Sequence, residues 1–196
     1  ELEVPQLKHG RRKGGIMLNG PADGSAYYSH FSYSEDDRLD LGPARRSNEP
    51  VGFIKKWQVS QSFPTLRIDE SGSGLPVPHG ELNWRDLEAD DEGRLDIGRI
   101  QGRSGQPNTV FLRTALSARQ NAIRPFRFGY SDYATLFLNG QKIVQGDSAY
   151  QGRDPSFLGI LGLSDTVFLP LRAGDNELIV MLSETQGGWG FTMQEA

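Results

Sequence analysis

The dipeptide Asn139-Gly140 constrains the fold of this chain more than any other feature of its sequence. It lies between FGYSDYATLFL and QKIV, two runs with the alternation of β-strands. Asn-Gly in this setting favours a two-residue hairpin turn, because both turn positions need a positive φ. The stretch 128–144 is therefore predicted to be a strand, a tight turn and a second strand.

The strand before this turn is apolar on both of its faces. Successive side chains of a strand point to opposite sides of its sheet. The two resulting sets are Tyr133, Thr135 and Phe137 on one face, and Ala134, Leu136 and Leu138 on the other. A strand with two apolar faces is predicted to be central and covered on both sides.

Further strand-like runs occur throughout residues 51–196. They include 109–118, 122–130 and two strands joined across residues 173–176. Pro125 predicts an edge position or a bulge, because proline cannot donate to a sheet ladder. The 24 Gly and 11 Pro residues interrupt the chain too often for long helices. About eight strands without a helix predict a β-sandwich or jelly roll.

The polar run 35–50 is predicted to separate two parts of the chain. Residues 1–48 are interpreted as an arm, a β-hairpin over 15–34 and a linker. Residues 49–196 are predicted to form the main domain. The acidic residues at 35–40 lack the ligand spacing of a calcium loop, and we interpret them as a solvated turn.

Charge and composition exclude several classes of function. The net charge of −4 gives no support to a nucleic-acid partner, which needs a basic face. Cysteine is absent, which removes disulfides, thiolate metal sites and a cysteine nucleophile. No apolar run is long enough to span a membrane. His9, His30 and His79 share no metal-ligand spacing, and no cofactor motif is present.

Two spaced motifs carry a family resemblance. Asp132, Asn139 and Gly140 have the spacing D-x6-N-G, and L-x-x-G-x-N-x-L follows at Leu171, Gly174, Asn176 and Leu178. These motifs and the order of the predicted strands around them resemble the galactose-binding-like jelly roll. They are similar to those of the sugar-binding accessory domain of glycoside hydrolase family 2. The resemblance implies an all-β jelly-roll sandwich without catalytic residues or a required cofactor. A structural calcium is compatible with this fold.

The N-terminal sequence GIMLNGPADGSAYYSHFSYS resembles the last strands of a concanavalin-like or laminin-G-like sandwich. About 45 residues cannot form a complete second sandwich. Either the chain is a fragment of a larger protein, or the hairpin docks on the main domain. The pairing of these two resemblances implies an exported bacterial protein, secreted or periplasmic, with a neighbouring domain as a partner.

Carbohydrate is the ligand class that we expect from the sequence, since aromatic faces and polar side chains together hold sugars. The long glycine-rich loop 145–162 offers Tyr150, Arg153 and Asp154. Trp189 and Trp84 are further candidates, for which packing in the sandwich is the alternative. Asp132 is interpreted as a turn cap rather than a ligand.

The sequence therefore predicts a non-catalytic carbohydrate-binding or accessory module. A structural or protein-interaction module without a sugar site is one alternative. A fragment of a glycan-active hydrolase whose catalytic part is missing here is another, and two carboxylates that face each other in a cleft would favour it.

Overall fold

The computed structural model describes residues 29–32, 52–64, 74–76, 82–101, 108–149, 152, 161–185 and 188–196. All but the first of these ranges belong to the compact unit Glu49–Ala196. The predicted N-terminal hairpin at 15–34 lies outside the described residues except for 29–32.

The described part of Glu49–Ala196 is built almost entirely of strands. Its elements are β1 (Lys56–Ser60), β2 (Trp84–Glu88), β3 (Arg94–Asp96), α1 (Gly98–Gln101), β4 (Thr109–Ala118), β5 (Ala122–Ser131), β6 (Tyr133–Leu138), β7 (Gln141–Asp147), β8 (Asp165–Leu171), β9 (Gly174–Ser183) and β10 (Gly190–Glu195). Six strands form one antiparallel sheet in the order β2-β1-β4-β9-β6-β7. Four form the other in the order β3-β10-β5-β8.

The strand order is that of a jelly roll. If β3 is counted as the first strand and β10 as the eighth, the sheets read 1-8-3-6 and 2-7-4-5. Strands β1 and β2 extend the second of these sheets at its β4 edge. The predicted all-β jelly-roll sandwich is confirmed.

The hairpin at Asn139-Gly140 is confirmed as well. Asn139 has φ 51° and Gly140 has φ 80°, and β6 pairs with β7 across the turn. Leu136 and Phe137 are both fully buried although they point to opposite faces. Strand β6 lies between β9 and β7, so it is a covered inner strand as predicted.

The predicted strand that begins at Phe128 is interrupted in the structure. Ser131 pairs with Gly190 in the four-stranded sheet, whereas Tyr133 pairs with Ser183 in the six-stranded sheet. The chain therefore crosses between sheets at Ser131–Asp132, where the peptide bond is cis. A single run of alternating residues thus supplies strands to both layers.

The prediction of an edge position or bulge at Pro125 needs correction. Pro125 lies in β5, an inner strand, but its carbonyl accepts from Ala196 N at the end of the β10 ladder. This carbonyl still joins the ladder, so the proline costs the sheet one N–H donor and not both of its backbone groups. The two strands predicted on either side of residues 173–176 are confirmed as β8 and β9, and they belong to different sheets.

The six-stranded sheet is covered on both faces. Its inner face packs against the four-stranded sheet around the fully buried Val59, Leu112 and Leu182. Its outer face carries a second apolar layer, formed by Phe63, Phe111, Phe137, Ile179 and Met181. This second layer is the physical reason for the two apolar faces of β6.

The side chain of Asn176 ties together three parts of one end of the sandwich. Its Nδ2 donates to the carbonyl of Arg172 at 2.8 Å and to that of Leu116 on β4 at 3.3 Å. Its Oδ1 accepts from Arg172 N at 2.9 Å and from Asn139 Nδ2 at 3.0 Å. The amide is fully buried, so water cannot replace it as the hydrogen-bond partner of these groups.

We predict that Asn176→Ala lowers the free energy of unfolding by about 3 kcal/mol, because it leaves several buried polar groups without a partner. Urea denaturation measures the loss. The matched control is Asn121→Ala, which removes one hydrogen bond at an exposed position, to Ala173 N, and is expected to cost less than about 1 kcal/mol. Equal losses in both variants would contradict the proposed role of Asn176.

Candidate functional site

A cavity of about 470 Å³ opens at the end of the sandwich where β4, β6 and β8 terminate. Its apolar lining consists of Ala122, Ile123, Leu138, Ile143, Pro170 and Leu171. Its polar lining consists of Asn121, Asn139, Gln141 and Arg172. The cavity is open to solvent, and its volume lies within the range of small-ligand sites.

Hydrogen bonds fix two of the polar lining residues in place. Asn121 Oδ1 accepts from Ala173 N at 2.8 Å, and Asn139 Oδ1 accepts from Glu177 N at 3.0 Å. No described residue makes a hydrogen bond to the side chains of Gln141 or Arg172. Their amide and guanidinium groups are therefore available to a ligand.

An exposed apolar strip continues from the cavity along the outer face of β5 and β8. Ile123 is 71% exposed and lies opposite Pro170, and Phe168 is 64% exposed and lies opposite Pro125. Ile123 and Pro170 also line the cavity. We refer to these four residues as the apolar strip. Phe168 and Pro170 are two residues apart on one strand, which places their side chains about 7 Å from each other.

The sequence contained a signal for this strip that the prediction missed. Val167, Leu169 and Leu171 alternate towards the core, so the intervening positions face solvent. Phe168 is a large apolar residue at such a position. A large apolar residue at a position where the alternation places a polar residue can mark a functional surface.

Cavity and strip together can hold a ligand that is apolar on one side and polar on the other. The described residues that line the cavity include no carboxylate. A glycosidase needs two carboxylates at the scissile bond. The described lining does not contain such a pair.

None of the five residues predicted from sequence is in the described lining of the cavity. Tyr150, Arg153 and Asp154 are outside the described residues. Their loop leaves β7 after Asp147, at the opposite end of that strand from Gln141 in the cavity. Trp189 is 4% exposed in the core between the sheets, and no described group accepts a hydrogen bond from its Nε1.

Trp84 lies on the outer face of the six-stranded sheet, against the second apolar layer. The guanidinium carbon of Arg113 is 4.1 Å from the centre of its ring, a cation–π contact. Arg113 Nε donates to Gln58 Oε1, and Gln58 Nε2 donates to Asp86 Oδ1, both at 2.8 Å. The structure does not bring Trp84 and Trp189 together, since they pack in different apolar clusters.

The opposite end of the sandwich carries a buried carboxylate. Asp132 Oδ2 accepts from Thr185 N at 2.7 Å and from Thr185 Oγ1 at 2.5 Å, and Oδ1 accepts from Ser131 Oγ at 2.9 Å. These contacts hold the crossing between β5 and β6 against the chain that follows β9. Asp132 therefore has a structural role, although the backbone group that it caps lies on another segment and not in its own turn.

Tyr133 lies next to this carboxylate and is partly exposed. Desolvation by burial raises the pKa of Tyr133 above its ordinary value of 10.0, and the carboxylates of Asp147 and Asp132 raise it further. A negative tyrosinate is disfavoured both near other negative charges and away from water. The phenol is therefore neutral at physiological pH.

Within the described ranges, no three His, Asp or Glu side chains are grouped so that they could hold a metal ion. Among those residues there is also no helix of the length and apolar character needed to cross a membrane.

Comparison with known proteins finds similarity only to solved structures. No family profile and no curated protein matches the sequence. A β-glucosidase from Kluyveromyces marxianus in complex with glucose is 16% identical, with TM-score 0.45 over 72% of this chain. A GH2 β-galacturonidase from Eisenbergiella tayi bound to glycerol is 15% identical, with TM-score 0.42 over 73% of this chain. This chain covers 16% and 24% of those two chains, respectively.

We predict that Tyr133 makes the folded state less stable at alkaline pH. The folded protein holds the phenol proton more tightly than the unfolded chain does, so this stabilisation is complete below about pH 10 and is lost as the pH rises through the folded pKa. Urea denaturation at about pH 8 and about pH 10.5 should show a larger loss for the wild type than for Tyr133→Phe.

Asp147→Asn is the matched variant for this prediction. It removes one of the two charges but keeps an oxygen that can accept from Ala149 N. The tyrosinate absorbance of Tyr133 is obtained in each background by subtracting the titration of the same protein with Tyr133→Phe. Its midpoint should lie at lower pH in Asp147→Asn than in the wild type. An unchanged midpoint would contradict the assigned electrostatic cause.

Proposed function

We propose that this chain is a non-catalytic carbohydrate-binding module, and that its ligand docks in the cavity and on the apolar strip. The observation that carries the proposal is the exposed ring of Phe168 beside a cavity that offers amide and guanidinium groups. A sugar ring has an apolar face of C–H groups and an edge of hydroxyl groups. The strip suits the face, and Gln141 and Arg172 suit the hydroxyls.

The proposal depends on the site rather than on the fold, because jelly rolls support many functions. The galactose-binding-like resemblance of the Asp132 and Asn176 motifs is consistent with it. We further propose that the protein acts as an accessory module of an exported bacterial protein, either secreted or periplasmic. We propose the loop residues Tyr150, Arg153 and Asp154, which follow β7 in the sequence, as a second contact region.

A docking surface for a neighbouring domain is the second candidate function. The exposure of Ile123 and Phe168 favours it, since large exposed apolar side chains often mark protein contacts. The two candidates differ in the polar groups that they use. A sugar needs the groups of the cavity, whereas a domain contact needs mainly the strip.

The test is a glycan array followed by calorimetric titration of the glycans that bind. Phe168→Ala is expected to weaken binding about tenfold, because the ligand loses an aromatic face. Phe168→Tyr keeps the ring and should bind like the wild type. Thr166→Ala changes an exposed residue on the same strand outside the strip, and should also leave binding unchanged.

Tyr150→Ala and Arg153→Ala separate the two proposed contact regions. If these changes weaken binding and Phe168→Ala does not, the ligand binds at the loop and our site assignment is wrong. If no glycan binds the wild-type protein, the carbohydrate function itself is wrong.

A further inference from the structure

We infer that the cavity is selective for a sugar that carries a carboxylate, a uronic acid, and that Arg172 is the residue that selects it. This inference rests on the proposed function. Arg172 is the charged residue among the described lining of the cavity. A ligand that enters this cavity therefore meets a positive charge and neutral amides.

The backbone of Arg172 is held from both sides by one buried amide. Its N–H donates to Asn176 Oδ1 at 2.9 Å, and its carbonyl accepts from Asn176 Nδ2 at 2.8 Å. Asn176 is fully buried, so the origin of the arginine side chain is fixed at the rim of the cavity. A fixed origin lowers the entropy cost of binding, since only the side chain has to be ordered.

No described carboxylate neutralises this guanidinium. Asp175, three residues along the chain, accepts a hydrogen bond from Ser117 Oγ on β4. The ion pairs that join two described residues involve Arg94 and Arg124, and none of these pairs involves Arg172. The side chain is exposed and is free to turn towards a ligand.

The chemistry of the site favours a uronic acid over a free anion. A guanidinium presents parallel N–H donors that match the two oxygens of a carboxylate. An inorganic anion would use this fork but would gain nothing from Ile123, Pro170 and Phe168. A uronic acid uses both, because its ring faces the apolar strip while its carboxylate reaches Arg172.

The test compares three ligands by calorimetric titration: oligomers of galacturonic or glucuronic acid, the methyl esters of the same oligomers, and the corresponding neutral oligosaccharides. The wild type should bind the acids most tightly, and added salt should weaken that binding. Arg172→Gln should weaken binding of the acids roughly 10- to 100-fold and binding of the neutral sugars much less, because the glutamine amide can still donate to a hydroxyl. Arg172→Lys should recover part of the loss.

Arg85→Gln is the matched control, because it removes the same charge from an exposed position on β2, at the other edge of the six-stranded sheet. It should bind the acids like the wild type. Circular dichroism and the unfolding midpoint of Arg172→Gln verify that the variant is folded.

The outcomes separate this inference from the proposed function. If neutral sugars bind as well as the acids and depend on Phe168 but not on Arg172, the selectivity is wrong and the carbohydrate function stands. If Arg85→Gln weakens binding as much as Arg172→Gln does, overall charge and not the cavity attracts the acid, and the assignment of Arg172 is overturned. If no sugar of any kind binds, both proposals are wrong.

Discussion

The buried amide of Asn176 is the interaction on which the candidate site depends. It joins the end of β4, the turn between β6 and β7 and the connection between β8 and β9, and these segments come from both sheets. The cavity lies among the same segments. One side chain therefore closes the sandwich at this end and also positions Asn139 and Arg172 in the lining. Structural and functional requirements meet at this residue, because a buried amide must satisfy every donor and acceptor around it.

The distribution of apolar surface distinguishes the outer faces of the two sheets. The outer face of the six-stranded sheet is covered by its own second apolar layer, so it offers little to a ligand. The exposed apolar strip lies on β5 and β8 of the other sheet. The neighbouring sheet edges are poorly suited to pairing with another strand, since β8 carries Pro170 and β7 carries an irregularity opposite Leu136 and Phe137. A partner at this side is expected to contact side chains rather than add a strand.

Much of the fold could be predicted from sequence because its signals are local. The bounds of β4 agree with the predicted 109–118, and the turn at Asn139-Gly140 has the positive φ values that its residues favour. The crossing at Ser131–Asp132 was missed, because alternation continues through a change of sheet. The candidate site was hardly predicted at all. The length of the loop 145–162 is the signal that predicts ligand-binding residues there. The cavity is instead built from short turns that are far apart in sequence, which give no such signal.

The sequence by itself determined the strands, the hairpin and the all-β class, because strand period and turn chemistry act between near neighbours. It also excluded disulfides, since the chain has no cysteine. Only the tertiary structure decided which strands share a sheet and which side chains share a cavity. Asn121, Asn139 and Arg172 meet because the two sheets stack and their turns converge at one end. The proximity of these residues depends on contacts between positions up to about fifty apart in sequence, and no local pattern encodes such contacts.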